Sequence, residues 1–159
     1  MKIIFTAILP IFFFTHSYSQ VAVSYYPFNS WIAVSSSTEK LLWADFRIET
    51  NTFITNLNSE LSPSINLRRG EIANYYLGAG ANFNLLNSYY NLNILNGYFV
   101  TVGSRVKPFQ KVRNFSFVFE ISPYVNKDFN SGLLRTNLGL SFLFGKLKKY
   151  PQSIEEKQE

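Results

Sequence analysis

The chain has 159 residues, 47% of them hydrophobic, 18% aromatic and 16% charged, with a formal charge of +5. That is one domain's length with apolar surface enough for a core, which excludes a disordered or collagen-like polymer. It holds no Cys and a single His, which excludes a disulfide scaffold, a thiol nucleophile and a thiolate metal site. The positive charge is scattered, with clusters at Arg68-Arg69 and Lys146-Lys148-Lys149, so no basic stripe points to nucleic acid.

Met1-Lys2 precedes an apolar run from Ile3 to Phe14, relieved by Thr6 and Pro10, and then the small and polar Thr15-His16-Ser17-Tyr18-Ser19-Gln20. Charged, apolar and small-residue blocks in that order predict a secretory signal peptide over 1–19, cut before Gln20. A membrane-anchoring helix is the alternative reading, but about twelve helical residues rise only ~18 Å against a hydrocarbon core of roughly 30 Å. With His16 in the leader, the exported chain has neither His nor Cys.

From Gln20 onward no segment carries apolar residues at helical spacing for three turns, whereas alternation with period two recurs, so the expectation is all-β with about eight strands. Val21–Pro27 and Ser30–Ser36 are short and alternate poorly; they read as two strands, or as one interrupted at Pro27-Phe28. Leu42, Ala44, Phe46 and Ile48 then alternate with Trp43, Asp45, Arg47 and Glu49. Thr50-Asn51-Thr52 is predicted to reverse the chain tightly into a long run. There Phe53, Thr55, Leu57, Leu61, Ile65 and Leu67 keep one parity, and Asn56, Asn58, Glu60, Ser62, Ser64, Asn66 and Arg68 the other.

After a turn at Arg69-Gly70-Glu71, Tyr75, Leu77, Ala79, Ala81 and Phe83 oppose Tyr76, Gly78, Gly80 and Asn82. The polar loop Leu85–Asn96 carries Tyr89 and Tyr90 as candidate contact residues. Val100, Val102 and Val106 then oppose Thr101, Gly103, Arg105 and Lys107, and Pro108, which cannot donate to a ladder, ends the strand. Phe115, Phe117, Phe119 and Ile121 oppose Ser116, Glu120 and Ser122. A turn over Asn126–Gly132 leads to a last strand in which Leu134, Leu138, Leu140, Phe142 and Phe144 oppose Arg135, Asn137, Gly139 and Ser141.

The polar parity therefore collects Asp45, Arg47, Glu49, Glu60, Arg68, Arg105, Lys107, Glu120 and Arg135, together with glycines, serines and asparagines. A nearly charge-balanced set rich in small residues suits a narrow barrel lumen in which long ions pair across the axis, because unpaired buried charge is very costly. On a soluble barrel or sandwich the same set would be a solvated face. The export signal, the lack of disulfides and the aromatic residues near strand ends on the apolar parity (Phe53, Tyr75, Phe83, Tyr98, Phe142, Phe144) favour the membrane barrel. Trp43, Phe99 and Tyr124 fall on the polar parity and read either as contrary evidence or as lumen plugs.

The last strand, Asn137-Leu138-Gly139-Leu140-Ser141-Phe142-Leu143-Phe144, resembles the terminal signal of bacterial outer-membrane β-barrels, matched at Asn137, Gly139, Phe142 and Phe144. In length and strand count the exported chain is similar to the small OmpA/OmpX-type barrels of Gram-negative bacteria. The resemblance implies an antiparallel up-and-down transmembrane β-barrel over 20–145, placed in the outer membrane by the barrel-assembly machinery, with a polar periplasmic tail over 146–159. Both ends would then lie in the periplasm, with Leu85–Asn96 and Asn126–Gly132 outside. The expected partners are outer-membrane lipid, the assembly machinery and a periplasmic or surface protein; the chain is expected to be a monomer without a cofactor.

Catalytic patterns are sparse. Without His or Cys, Ser-His-Asp and Cys-His catalysis and His-ligated zinc have no residues to use. Gly78-Ala79-Gly80 lacks the third glycine of a dinucleotide fingerprint. Asn126, Asp128 and Asn130 alternate like the start of a calcium loop, but Ser131 stands where glycine is required and Asn137 where the bidentate Glu belongs. Glu60 and Glu120 form a conceivable acid pair, with partnership to lumen arginines as the plainer role. The functional expectation is a small integral outer-membrane protein acting by structure and contact. It is not an enzyme, nor a general pore, since eight strands leave an interior just wide enough for side chains. The alternative is a soluble exported barrel binding a lipid or other apolar ligand inside.

Overall fold

A computed structural model of the chain describes residues 20–51, 57–90, 92–109 and 111–145; the predicted leader, the predicted tail and Phe53, Thr55 and Asn56 of the predicted long strand lie outside them. Eight strands follow in chain order: β1 (Val21–Tyr26), β2 (Trp31–Ser35), β3 (Leu42–Glu49), β4 (Asn58–Arg69), β5 (Ala73–Asn84), β6 (Leu95–Val106), β7 (Phe115–Asn126) and β8 (Gly132–Phe144). Each pairs antiparallel with the next, and β1 pairs with β8 from Val21 opposite Phe144 to Tyr25 opposite Leu140. The result is a closed, all-β, up-and-down barrel, the arrangement by which an antiparallel sheet buries its edges.

The period-two alternation becomes two faces, and their polarity is inverted relative to a soluble fold. Asp45, Arg47, Arg105 and Glu120 are 1–3% exposed, whereas Leu42, Val102 and Ile121 are 53–68% exposed. At the centre of the interior, Tyr26, Ala33, Trp43, Tyr76 and Val118 pack together. Trp43 and Phe99 are thus interior fillers, and Tyr124 lies half-buried opposite Phe99 in the ladder.

The segment 21–36 is two strands. Residues 27–30 form the turn between them, ending at Ser30 with a φ of 56°. This hairpin is the low side of the wall: its strands have 6 and 5 residues against 12 or 13 in β4 to β8.

Two expectations from periodicity are corrected. The register places Ile48 opposite Ser59, which is incompatible with a tight reversal over Thr50–Thr52; residues 53–57 share β4's parity, so alternation could not show where pairing begins. Arg68 is not in the lumen. The ladder to β5 pairs Asn66 with Tyr76 but Arg68 with Tyr75, so Leu67 is an extra, bulged residue that inverts the parity and turns Arg68 outward. Arg68 is exposed. Pro63 and Pro123 lie inside β4 and β7. Each pairs on one side, with Ala44 and Leu134, while the other ladder is interrupted between Leu61 and Ser64 and between Phe99 and Val102. A residue without an N–H can complete only part of a ladder.

Two lumen glycines make room for tyrosine rings. A Cβ on Gly103 would stand 2.4 Å from the Tyr76 ring, and one on Gly139 would stand 2.7 Å from the ring of Tyr26. Gly103→Ala is therefore expected to destabilise the barrel by about 1–3 kcal/mol through overpacking, read as a lowered urea midpoint. An unchanged midpoint would mean that Tyr76 is free to move aside.

Candidate functional site

The interior is built in layers from side chains that alternate inward from every strand. The termini-side end is the one where β1 begins and β8 ends; the loop-side end carries the connection between β5 and β6. The 3₁₀ turn Leu85–Ser88, capped by the Asn84 side chain, starts that loop.

In the central layer Glu120 of β7 accepts from both terminal nitrogens of Arg47 of β3, each at 2.7 Å. Tyr26 and Tyr76 donate their hydroxyls to its Oε1, and Asn137 donates to Oε2 at 3.1 Å. Arg47 also donates through Nε to Asp45 at 2.6 Å, and Ser35 donates to the other Asp45 oxygen at 2.6 Å. Five strands thus meet on one carboxylate–guanidinium pair. The two parallel bonds of an Arg–carboxylate fork are strong and directional, which ties opposite walls together across the axis. The Arg47 guanidinium also lies 4.8 Å from the Tyr26 ring centre.

Toward the termini, Arg105 lies against an aromatic pair, 4.8 Å from the ring centre of Trp43 and 5.6 Å from that of Tyr76, the two rings meeting edge to face. It donates to Ser141 at 2.9 Å, and Ser141 in turn accepts from Ser24. Its Nε and Nη2 meet no oxygen among the described residues, so the rings supply much of the stabilisation as cation–π contacts.

The termini-side end is closed by the turn between β2 and β3. Ser37 and Thr38 are buried there. Asn66 donates to the carbonyls of Thr38 and Lys40 at 2.8 and 2.6 Å, and Lys107 pairs with Glu39 at 2.8 Å, with Asn74 on the other Glu39 oxygen. Near the loop-side end, Arg135 pairs with Glu60 at 2.6 Å and lies over Phe99 and Tyr124 at 5.1 and 4.8 Å. Asn82 donates to Glu60, Asn96 bridges Asn58 and Asn82, and Asn58 donates to Glu49.

Of the nine charged residues expected inside, Asp45, Arg47, Glu60, Arg105, Lys107, Glu120 and Arg135 share this network, Glu49 is half-buried at the loop-side mouth, and Arg68 is outside. Glu60 and Glu120 do not face each other as a pair: each is bound to a different arginine, Arg135 and Arg47. Periodicity missed Glu39 and Asn74, whose roles depend on the plugging turn, and it put Asn66 on the polar face without showing that it holds that turn. The only signal for the turn itself was a polar run, Ser35-Ser36-Ser37-Thr38-Glu39-Lys40.

The last-strand motif divides between the faces. Asn137 binds Glu120 and Gly139 admits the Tyr26 ring, both inside. Phe142 and Phe144 point outward in edge contact, their ring centres 5.0 Å apart. Tyr89 and Tyr90 are exposed in the loop, also edge to face. Asn126 and Asn130 bond to each other at 2.6 Å and stabilise a turn. Comparison with protein-family models, curated proteins and solved structures finds no match to the chain.

Proposed function

We propose that the chain is a small integral outer-membrane β-barrel protein that acts by structure and contact, with a filled polar lumen, in the manner of the OmpA/OmpX-type barrels. The observation that carries this reading is the inverted polarity: charged networks sealed inside and an aliphatic belt outside. In water the belt would expose a contiguous apolar surface far larger than soluble monomers tolerate; in a bilayer it meets acyl chains.

Dimensions agree. Twelve residues at ~3.3 Å each, tilted by about 45°, rise roughly 28 Å, against an apolar band of ~25 Å on such barrels. Exposed aromatics gather at both margins, as in interfacial girdles. Tyr75, Phe109, Phe142 and Phe144 lie toward the termini, and Tyr98, stacked on Phe129, toward the loops. On the low side, exposed Tyr25 and Phe28 bring the aromatic margin down with the wall.

A bound apolar ligand inside has less support, because the interior is lined by ions and amides and filled by Tyr26, Trp43, Tyr76 and Phe99. The same filling argues against a general pore. Export rests on the predicted leader at 1–19, and the predicted tail at 146–159 would carry four lysines toward the periplasm. Fractionation of a Gram-negative host expressing the full chain tests the proposal. Recovery with the outer membrane, and a gel mobility that shifts on boiling, are expected; recovery in a detergent-free periplasmic extract would refute it.

A further inference from the structure

The outer wall carries a feature that general contact with lipid does not require. Along one row of the sheet, Arg68 stands opposite Tyr75, Tyr75 opposite Ser104, Ser104 opposite Phe119, and Phe119 opposite Leu138. Ser104 is thus a small residue between two rings. On the next row Thr136, opposite Ile121, repeats the gap. The outcome is an apolar trough of about 630 Å³ that runs from Tyr75 over Ser104 to Phe28, walled by Val102 and Phe119.

At Tyr75 the trough meets a second hollow of about 370 Å³ on the termini side, lined by Arg68, Ile72, Phe109 and Arg113, with Lys107 and Glu71. Lys107 is engaged by Glu39, and Arg113 lies 3.6 Å from Glu71 with both side chains well exposed. Arg68 has no ion pair among the described residues, and it reaches this face because of the bulge at Leu67.

We propose that trough and hollow together bind one anionic glycerophospholipid, with its phosphate on Arg68 and Arg113 and an acyl chain along the trough over Ser104. The inference rests on the membrane reading above and adds a specific ligand to it. Guanidinium groups match phosphate geometry with paired donors. Tyr75 belongs to both cavities and marks the level where headgroup gives way to chain, the depth at which tyrosine is favoured. A free phosphate would use the basic hollow and leave the trough idle, whereas a lipid accounts for both and for their continuity.

Native mass spectrometry of the full-length protein, extracted in mild detergent and offered phosphatidylglycerol or phosphatidylcholine, tests this. One phosphatidylglycerol per chain is expected, retained in preference to phosphatidylcholine. Arg68→Ala is expected to reduce retention about tenfold, the effect of losing one charge-assisted contact, and Ser104→Phe, which fills the trough, to do the same. Heat-dependent gel mobility of the same samples reports folding; exposed Arg68 carries the test by itself if Ser104→Phe fails to fold. Equal retention of the two lipids, variants that retain lipid normally, or displacement of phosphatidylglycerol by inorganic phosphate would each overturn the proposal while leaving the membrane barrel intact. A chain absent from the outer membrane and without a heat shift would overturn the membrane reading instead.

Discussion

Glu120→Ala is expected to be the most damaging single substitution in the barrel, costing about 3–5 kcal/mol of stability, because it leaves the Arg47 guanidinium buried without its fork partner. Tyr26, Tyr76 and Asn137 lose their shared acceptor at the same time. Glu120→Gln keeps an acceptor of the same shape and removes the charge, so its cost is expected to be smaller, about 1.5–3 kcal/mol. Urea unfolding of the purified protein in detergent or lipid, followed by the loss of the heat-shifted gel form, measures both. The ordering matters as well as the size. A water-filled lumen would screen the pair like a surface salt bridge, and Glu120→Ala would then cost only ~0–1 kcal/mol. That result would remove the filled-lumen picture and reopen conduction through the barrel.

The second large effect separates membrane from water directly. Val100 lies midway along β6, 46% exposed on the outer face. Val100→Arg is expected to destabilise a membrane-embedded barrel by about 2–4 kcal/mol, as for a charge at the bilayer midplane, whereas Leu134→Arg, on the same outer face near the loop-side start of β8, should cost only ~0–1 kcal/mol. A soluble barrel has no such depth dependence, and both exposed substitutions would stay within about 0.5 kcal/mol of the parent. Refolding yields and urea midpoints in phospholipid bilayers read the difference. Equal, near-zero effects at the two positions would leave the outer face without a membrane to explain it.

The legible part of the fold was what period two encodes. Trp43, Asp45 and Arg47 on β3, or Asn137, Gly139 and Ser141 on β8, go to one face because successive side chains alternate, whatever lies on either side. What alternation cannot register is a change of phase. The bulge at Leu67 inverts every residue after it, and nothing in Ile65-Asn66-Leu67-Arg68 signals the extra residue, so Arg68 was read as a lumen ion and stands outside. Nor can alternation locate the onset of pairing, which is why β4 was extended back past Asn58.

The candidate site divides along the same line. Its charged membership was readable from parity, but the partnerships were not. Arg47 lies directly opposite Glu60 in the β3–β4 ladder yet takes Glu120 from across the barrel, while Glu60 takes Arg135. Those choices depend on strand stagger and on which rings fill the axis. Glu39 entered the network because a turn with no periodicity folds beneath the sheet.

By itself the amino-acid order determined the strand-forming class, the two faces and the ions that share one of them, since these follow from local alternation and composition. Only the tertiary structure decided that the charged face closes inward, which acid holds which base, and that Arg68 and Ser104 line one outer surface. The physical reason is that closure, register and bulges couple residues tens of positions apart, and no local pattern carries that coupling.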